Sequence, residues 1–311
     1  MKKLFLKLTL LILPFLIFIG FCEFKLRSIP TSYRVKKAAF EKRMTEWQIL
    51  VLGSSHAYEG LSVHLLDQKT YNLANSSQSL YYDSKLLLLY LDQLSHLKLV
   101  IWPVDYFSFE FSLSSSAESW RSFFYHMIFH IPHEDKELEK DIRNYSLFAL
   151  YGPKRTLKYL LKGFQVDEIG GTLKADGGLM NVKQASPLSN ESAQVVLSRH
   201  HSAMREENIA ENVAAMDIAL HELRKRKISV VFVSFPAYHT YSDQISKVRY
   251  ERMQRILKEL CNKYQIQYFN YFFSPDFKET DFFDDDHLNS KGAEKLSARM
   301  HEDFVQNYLK N

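Results

Sequence analysis

Residues 49–60, ILVLGSSHAYEG, decide the reading of this chain. A short, β-branched apolar run, Ile49 to Leu52, breaks at Gly53 into Ser54, Ser55 and His56. Such a run reads as a strand buried on both faces, as in the middle of a parallel sheet. A hydroxyl just past a central strand, where the chain turns toward a helix, stands at the open carboxyl edge of the sheet, where α/β folds collect their ligands. Ser55 is therefore the candidate nucleophile. Serine after glycine is also ordinary turn and helix-capping chemistry, so a partner is needed.

That partner lies near the far end of the chain. Residues 281–296, DFFDDDHLNSKGAEKL, place Asp284 three residues before His287 and directly ahead of a helical segment. A carboxylate at that spacing can bond Nδ1 of the imidazole and leave Nε2 to take a proton from a serine. An acidic loop capping the next helix through Asn289 or Ser290 is the plainer alternative.

With these two blocks in view the sequence resembles the SGNH/GDSL hydrolase superfamily, and within it the membrane-anchored bacterial branch associated with cell-surface polysaccharides. The resemblance implies a three-layer α/β/α sandwich around a parallel sheet, with flavodoxin-like order, and a Ser55, His287, Asp284 triad. It places the family's second block on YNLANSSQS, residues 71–79, so that the N–H groups of Ser55 and Ala74, with Asn75 beside them, form the oxyanion hole. The third block falls on Trp102, Pro103, Val104 and Asp105, with Val104 where the family has asparagine. Losing one oxyanion donor costs a serine hydrolase on the order of a hundredfold in turnover. The implied activity is a serine esterase or O-acyltransferase on acyl, chiefly acetyl, esters of a cell-envelope polysaccharide. The competing reading is a noncatalytic partner or glycan-binding protein of the same fold, for which Val104 speaks. His56, Asp105 and Tyr238, each near a strand's carboxyl end, are the candidate substrate contacts.

The rest of the chain frames this site. In 311 residues, hydrophobic content is 46%, charged content 24% and net charge +4, which suits a globular protein and gives no footprint for nucleic acid. Lys2, Lys3 and Lys7 flank an apolar run reaching Cys22, about the length that crosses a bilayer. Residues 1–24 are expected to be an uncleaved signal anchor and 25–47 a connector standing the domain off the membrane. Basic residues at the start favour a cytoplasmic N-terminus, although Lys25, Arg27 and Arg34 put positive charge beyond the run as well. The expected location is the bacterial cytoplasmic membrane, single-pass, with the domain on the outer side.

Cys22 and Cys261 are too far apart in kind and place to suggest a disulfide, and neither has metal-site spacing. No cofactor or metal is expected. Partners would be an acylated glycan or acyl donor, the membrane itself, and a membrane O-acyltransferase. Residues 48–311 form the α/β domain. Strands are expected at 71–73, 97–104, 228–235 and 267–269, and helices at 56–68, 81–94, 208–227, 250–264 and 291–309. Residues 107–199 break the alternation as an insertion, with an acidic and basic run from Glu134 and glycines at 170, 171, 177 and 178. An excursion of that length between strands reads either as a cap over the sheet edge that shapes the substrate site or as a decorative subdomain, and the sequence does not separate them. His200 and His201 read as surface loop or substrate rim.

Overall fold

The computed structural model describes residues 2–169, 171–180 and 186–309. Met1, Gly170, residues 181–185 and residues 310–311, which belong to the expected anchor, insertion and domain end, lie outside them. Five parallel strands make the central sheet: β1 (Ile49–Val51), β2 (Thr70–Asn72), β3 (Leu99–Pro103), β6 (Ser229–Ser234) and β7 (Gln267–Asn270). Between β3 and β6 a small antiparallel hairpin, β4 (Thr172–Leu173) and β5 (Leu179–Met180), stands apart from it. The sheet order is β2-β1-β3-β6-β7, so the chain steps outward on one side of β1 and then on the other. The crevice where that direction reverses, at the carboxyl ends of β1 and β3, is where such sheets bind ligands.

Strand parity builds the layers. Leu50, Val100, Trp102, Val230 and Phe232 enter one apolar cluster, whereas Ile49, Val51, Leu99, Ile101, Val231 and Val233 enter the other. Helices Leu80–Tyr90, Asn208–Lys225 and Lys247–Tyr264 cover the first face; helix Ser290–Met300 and its continuation cover the second. The result is a three-layer α/β/α sandwich, with side chains of alternating direction buried on both sides as β geometry requires.

Three expectations change. The helix after β1 stops at Glu59, its last bond running from the N–H of Gly60 to His56 O, and only a 3-10 turn follows at Val63–Leu65. Residues 25–47 do not stand the domain off. The first helix runs unbroken over Lys2–Ser28, and Ile29, Tyr33, Phe40 and Trp47 are buried in the main core. The segment is basic in sequence but amphipathic in the helix Ser32–Lys42, and its apolar face docks. The closing helix is regular only to Met300 and then widens into a π-type turn over His301–Val305. Cys22 and Cys261 are both free thiols.

Candidate active site

Gly53 sets the turn out of β1. Its φ is +113°, and a Cβ there would lie 3.0 Å from Pro103 Cγ, so a side chain meets both backbone strain and a neighbouring strand. The Gly53 N–H donates to buried Asp83 Oδ1 at 2.8 Å, and Asp83 also receives Gln78 Nε2 and, on Oδ2, Trp102 Nε1 at 3.0 Å. Burial pushes this carboxyl up to about 7 against those three donors. Ser54 then caps the helix Ser55–Glu59. Ser55 occupies the first turn, where backbone N–H groups have no intrahelical acceptor; its N–H donates to nothing among the described residues.

The Ser55 Oγ lies 2.8 Å from His287 Nε2, across 232 positions of sequence. On the other side of the ring, His287 Nδ1 is 2.9 Å from Asp284 Oδ1, which also accepts the His287 N–H at 2.8 Å. Asp284 thus fixes both the ring and the loop that carries it. Asp286 Oδ1 lies 3.1 Å from the same Nδ1. Two carboxylates therefore face one ring nitrogen.

Ser54 begins a second chain of contacts. Its Oγ donates to Asp105 Oδ2 at 3.1 Å; the same oxygen meets His56 Nδ1 at 3.1 Å, and His56 Nε2 reaches Asp286 Oδ2 at 3.1 Å. Adjacent serines thus start two networks that converge on Asp286, whose side chain is wholly buried. Burial would lower the His56 pKa, but Asp105 and Asp286 outweigh it and hold the ring at about 9. Burial likewise opposes charge on His287, yet Asp286 and then Asp284 hold it well above the usual histidine value. Asp286 is buried but held well below the usual carboxylate range by His287 and His56. His200, with Nε2 3.7 Å from Asp286 Oδ2, goes the other way: burial and the neighbouring imidazoliums push it down to about 4. It is neutral at pH 7, with Nδ1 2.7 Å from the Tyr241 hydroxyl.

The Ser55 and His287 side chains open into a cleft of about 290 Å³. Its walls come from several elements: Ser76 and Ser77 after β2, Phe107 and Phe111 after β3, Glu118 and Arg121 from the long excursion, and Arg199 and His200 from helix Asn190–Ala203. The serine and aromatic walls can take a polar ligand with apolar faces.

Several sequence expectations need correction here. His56 and Asp105 do not line the cleft; they form the buried layer beneath it, 7% and 3% exposed. Tyr238 lies away from the cleft, its ring in tilted contact with those of Phe282 and His239 and its N–H on Asp285 O. The Ala74 N–H, expected in the oxyanion hole, donates to Asn72 Oδ1 at 3.0 Å, and the Asn75 N–H donates to Gly53 O at 3.2 Å. Asn75 Oδ1 is held by Ser32 and Ser76, and Asn75 is not on the cleft wall. Val104 is buried in the core and offers no side-chain donor.

Sequence reasoning passed over Asp286 and Arg121, and His200, read as surface loop or substrate rim, lies on the cleft wall. The run Asp284, Asp285, Asp286 was the available signal, and each carboxylate has a different task. Asp284 takes His287; Asp285 accepts from Thr240 Oγ1 at 2.5 Å and Ser189 N at 3.3 Å; Asp286 sits among three histidines. His56, Asp286 and His287 bring ligand atoms within 4.8 Å of one another, close enough for a cation. Their hydrogen bonds already pair them as acids and imidazoles, and a cation on His287 Nδ1 would displace Asp284.

No known family description matches the chain, and no curated protein matches it. Similar solved structures carry the names of ester-cleaving proteins. A protein provisionally named an acylhydrolase, from Bacteroides fragilis, shares 9% identity at a TM-score of 0.43, covering 89% of this chain and 98% of its own. A GDSL-like lipase from Bacteroides thetaiotaomicron shares 9% identity at a TM-score of 0.43, covering 88% and 97%. An active-site mutant of a family two carbohydrate esterase from Clostridium thermocellum shares 9% at a TM-score of 0.38, covering 86% and 65%. These likenesses are remote in sequence and in superposition.

Proposed function

We propose that this chain is an SGNH-type serine hydrolase acting on ester bonds, with Ser55 as nucleophile, His287 as base and Asp284 as the acid that orients it. The observation that carries this reading is the 2.8 Å contact from Ser55 Oγ to His287 Nε2, with Nδ1 bonded to Asp284 on the far side of the ring. Ser55 Oγ attacks the acyl carbonyl while its proton passes to Nε2 of neutral His287. Collapse of the tetrahedral intermediate expels the alcohol, which takes that proton, and leaves an acyl-Ser55 ester. Water, activated by His287, releases the acid; a sugar hydroxyl in its place gives O-acyl transfer. The Ser55 N–H is a donor left open for the oxyanion, and in the turn at 75–77, where the Asn75 and Ser76 N–H groups are bonded to Gly53 O and Asn75 Oδ1, the Ser77 N–H is the candidate second donor.

The finer reading is an esterase or O-acyltransferase of an acylated envelope polysaccharide, held at a membrane by its N-terminal helix with the domain on the outer side, where it could work beside a membrane O-acyltransferase. Support comes from the helix Lys2–Ser28, which is long and apolar enough to cross a bilayer, and from a cleft walled by serines and aromatic rings. A second reading, a glycan-binding protein without turnover, draws on Val104 and on the Ala74 N–H being bonded to Asn72.

A fluorophosphonate probe separates the two. Covalent labelling of the solubilised full chain, lost in both Ser55→Ala and His287→Ala, supports an activated serine. Absence of labelling in folded wild-type protein at every pH from neutral to alkaline overturns catalysis in favour of binding.

A further inference from the structure

The helix Leu147–Leu161, bent at Gly152 and Pro153, meets the N-terminal helix twice. At its start, Glu23 accepts the N–H groups of Leu147 and Phe148 and the Ser146 hydroxyl, while Arg27 donates to Tyr145 O. Just past its end, the Phe164 ring packs edge-on against Phe21, centroids 6.3 Å apart. Phe21 and Glu23 differ by a rise of about 3 Å along a helix axis. Both ends of the bent segment therefore return to one level of the N-terminal helix, which anchors the segment at that level.

That level coincides with the edge of an apolar span. Residues 4–21 rise about 26 Å, close to the ~30 Å of a bilayer's hydrocarbon, and none of the span's apolar window is covered by protein. The crossing segment buries Tyr151, Thr156 and Tyr159 against the domain and turns Leu157 and Leu161 outward, 54% and 80% exposed. Lys154, Lys158 and Lys162, also exposed, form a stripe beside those leucines at the same four-residue spacing. Apolar residues flanked by lysines on one outward face match what an interfacial helix offers to acyl chains and anionic headgroups. Among the described residues none covers Leu157, Leu161 or the three lysines.

We propose that residues 153–162 lie in the headgroup layer of the membrane crossed by residues 4–21, with Leu157 and Leu161 dipping toward the acyl chains and the three lysines binding anionic lipid. The span and the crossing segment then form a two-point mount that fixes the orientation of the domain and its cleft. This rests on the helix Lys2–Ser28 crossing a bilayer, and not on catalysis at Ser55.

The full chain, in nanodiscs of phosphatidylcholine and phosphatidylglycerol in equal parts, tests it. An environment-sensitive fluorophore is placed by Leu161→Cys, Phe18→Cys or Val248→Cys after Cys22→Ser and Cys261→Ser, and lipid-borne nitroxide quenchers are added. Quenching at 161 approaching that at 18 and well above that at 248, reduced when Lys154, Lys158 and Lys162 become Glu, is the expected result. Quenching at 18 with none at 161 overturns the proposal while leaving the span intact; none at either position overturns both. Amine-acylation footprinting of the wild-type chain gives a second readout free of substitutions. Lys154, Lys158 and Lys162 should lose reactivity in anionic nanodiscs relative to phosphatidylcholine alone, while Lys225 does not. Equal reactivity in both overturns the lipid contact.

Discussion

Replacing Asp286 by asparagine should move the pH at which Ser55 becomes reactive. Ser55 needs neutral His287 as base, so its reactivity rises with pH through the His287 pKa, and Asp284 and Asp286 both raise that pKa. At 3.1 Å and an effective dielectric of about 20, one carboxylate attracts an imidazolium by roughly 5 kcal/mol. At 1.36 kcal/mol per unit that is an upper limit of roughly four pKa units. Several effects reduce it. Asp284 remains on Nδ1, and burial of the ring already works against its charge. His56 also loses a carboxylate, which changes the charge facing His287. The net shift of the His287 pKa is downward. The assay is the second-order rate of fluorophosphonate labelling of full-length protein across pH, which reports groups of the free enzyme. The rising limb should move to lower pH in Asp286→Asn, so that at pH 7 the variant labels faster than wild type. A limb within about a third of a unit of wild type, in a variant that melts as wild type does, would refute the claim that Asp286 tunes the base.

The remaining predictions concern the layer under the cleft. His56 has its folded pKa raised from 6.5 to about 9, so it adds stability that is full below pH 6.5 and declines as pH rises through 9; at 7% exposure the contribution is about 3 kcal/mol. Denaturant titrations should show that decline in wild type and a flatter profile in His56→Gln. Asp83→Asn turns an amide NH2 or one fewer acceptor toward three buried donors, one of them the Trp102 indole N–H, and should cost about 1–3 kcal/mol in the same titration. Gly53→Ala forces a left-handed φ on a residue with Cβ and crowds Pro103; a loss of about 1–3 kcal/mol, with labelling of Ser55 slowed more than its stability explains, is the expected outcome.

Much of the architecture was legible because the signals are local. Short β-branched runs separated by helical periodicity give a parallel sheet, and two-residue alternation of buried side chains needs only the strand's own geometry. The apolar N-terminal run is visible for the same reason. Ser55 and the Asp284, His287 pair could be nominated because each sits in a stretch whose spacing constrains its chemistry, a glycine turn in one and a three-residue offset in the other.

Other features depended on distance in sequence. Nothing in DDDH distinguishes Asp284, Asp285 and Asp286; burial does, by putting the third among His56, His200 and His287 from two other segments. His56 and Asp105 looked like cleft residues because both follow strands, and packing turned them beneath the site instead. The methyl group of Ala74 does not reveal where its N–H points, and the neighbouring Asn72 amide oxygen decides it. The segment 25–47 read as a connector because it is basic and marked by a proline, yet the helix gathers Tyr33, Phe40 and the buried Lys36 on one face. Sequence alone determined the strands of the central sheet, though not the hairpin β4–β5, which residues carry reactive groups and that one end is apolar. Tertiary structure decided which carboxylate meets which imidazole and which backbone donors stay open, because those outcomes follow from burial and from contacts that range from the two-residue step between Asn72 and Ala74 to the 230 positions between His56 and Asp286.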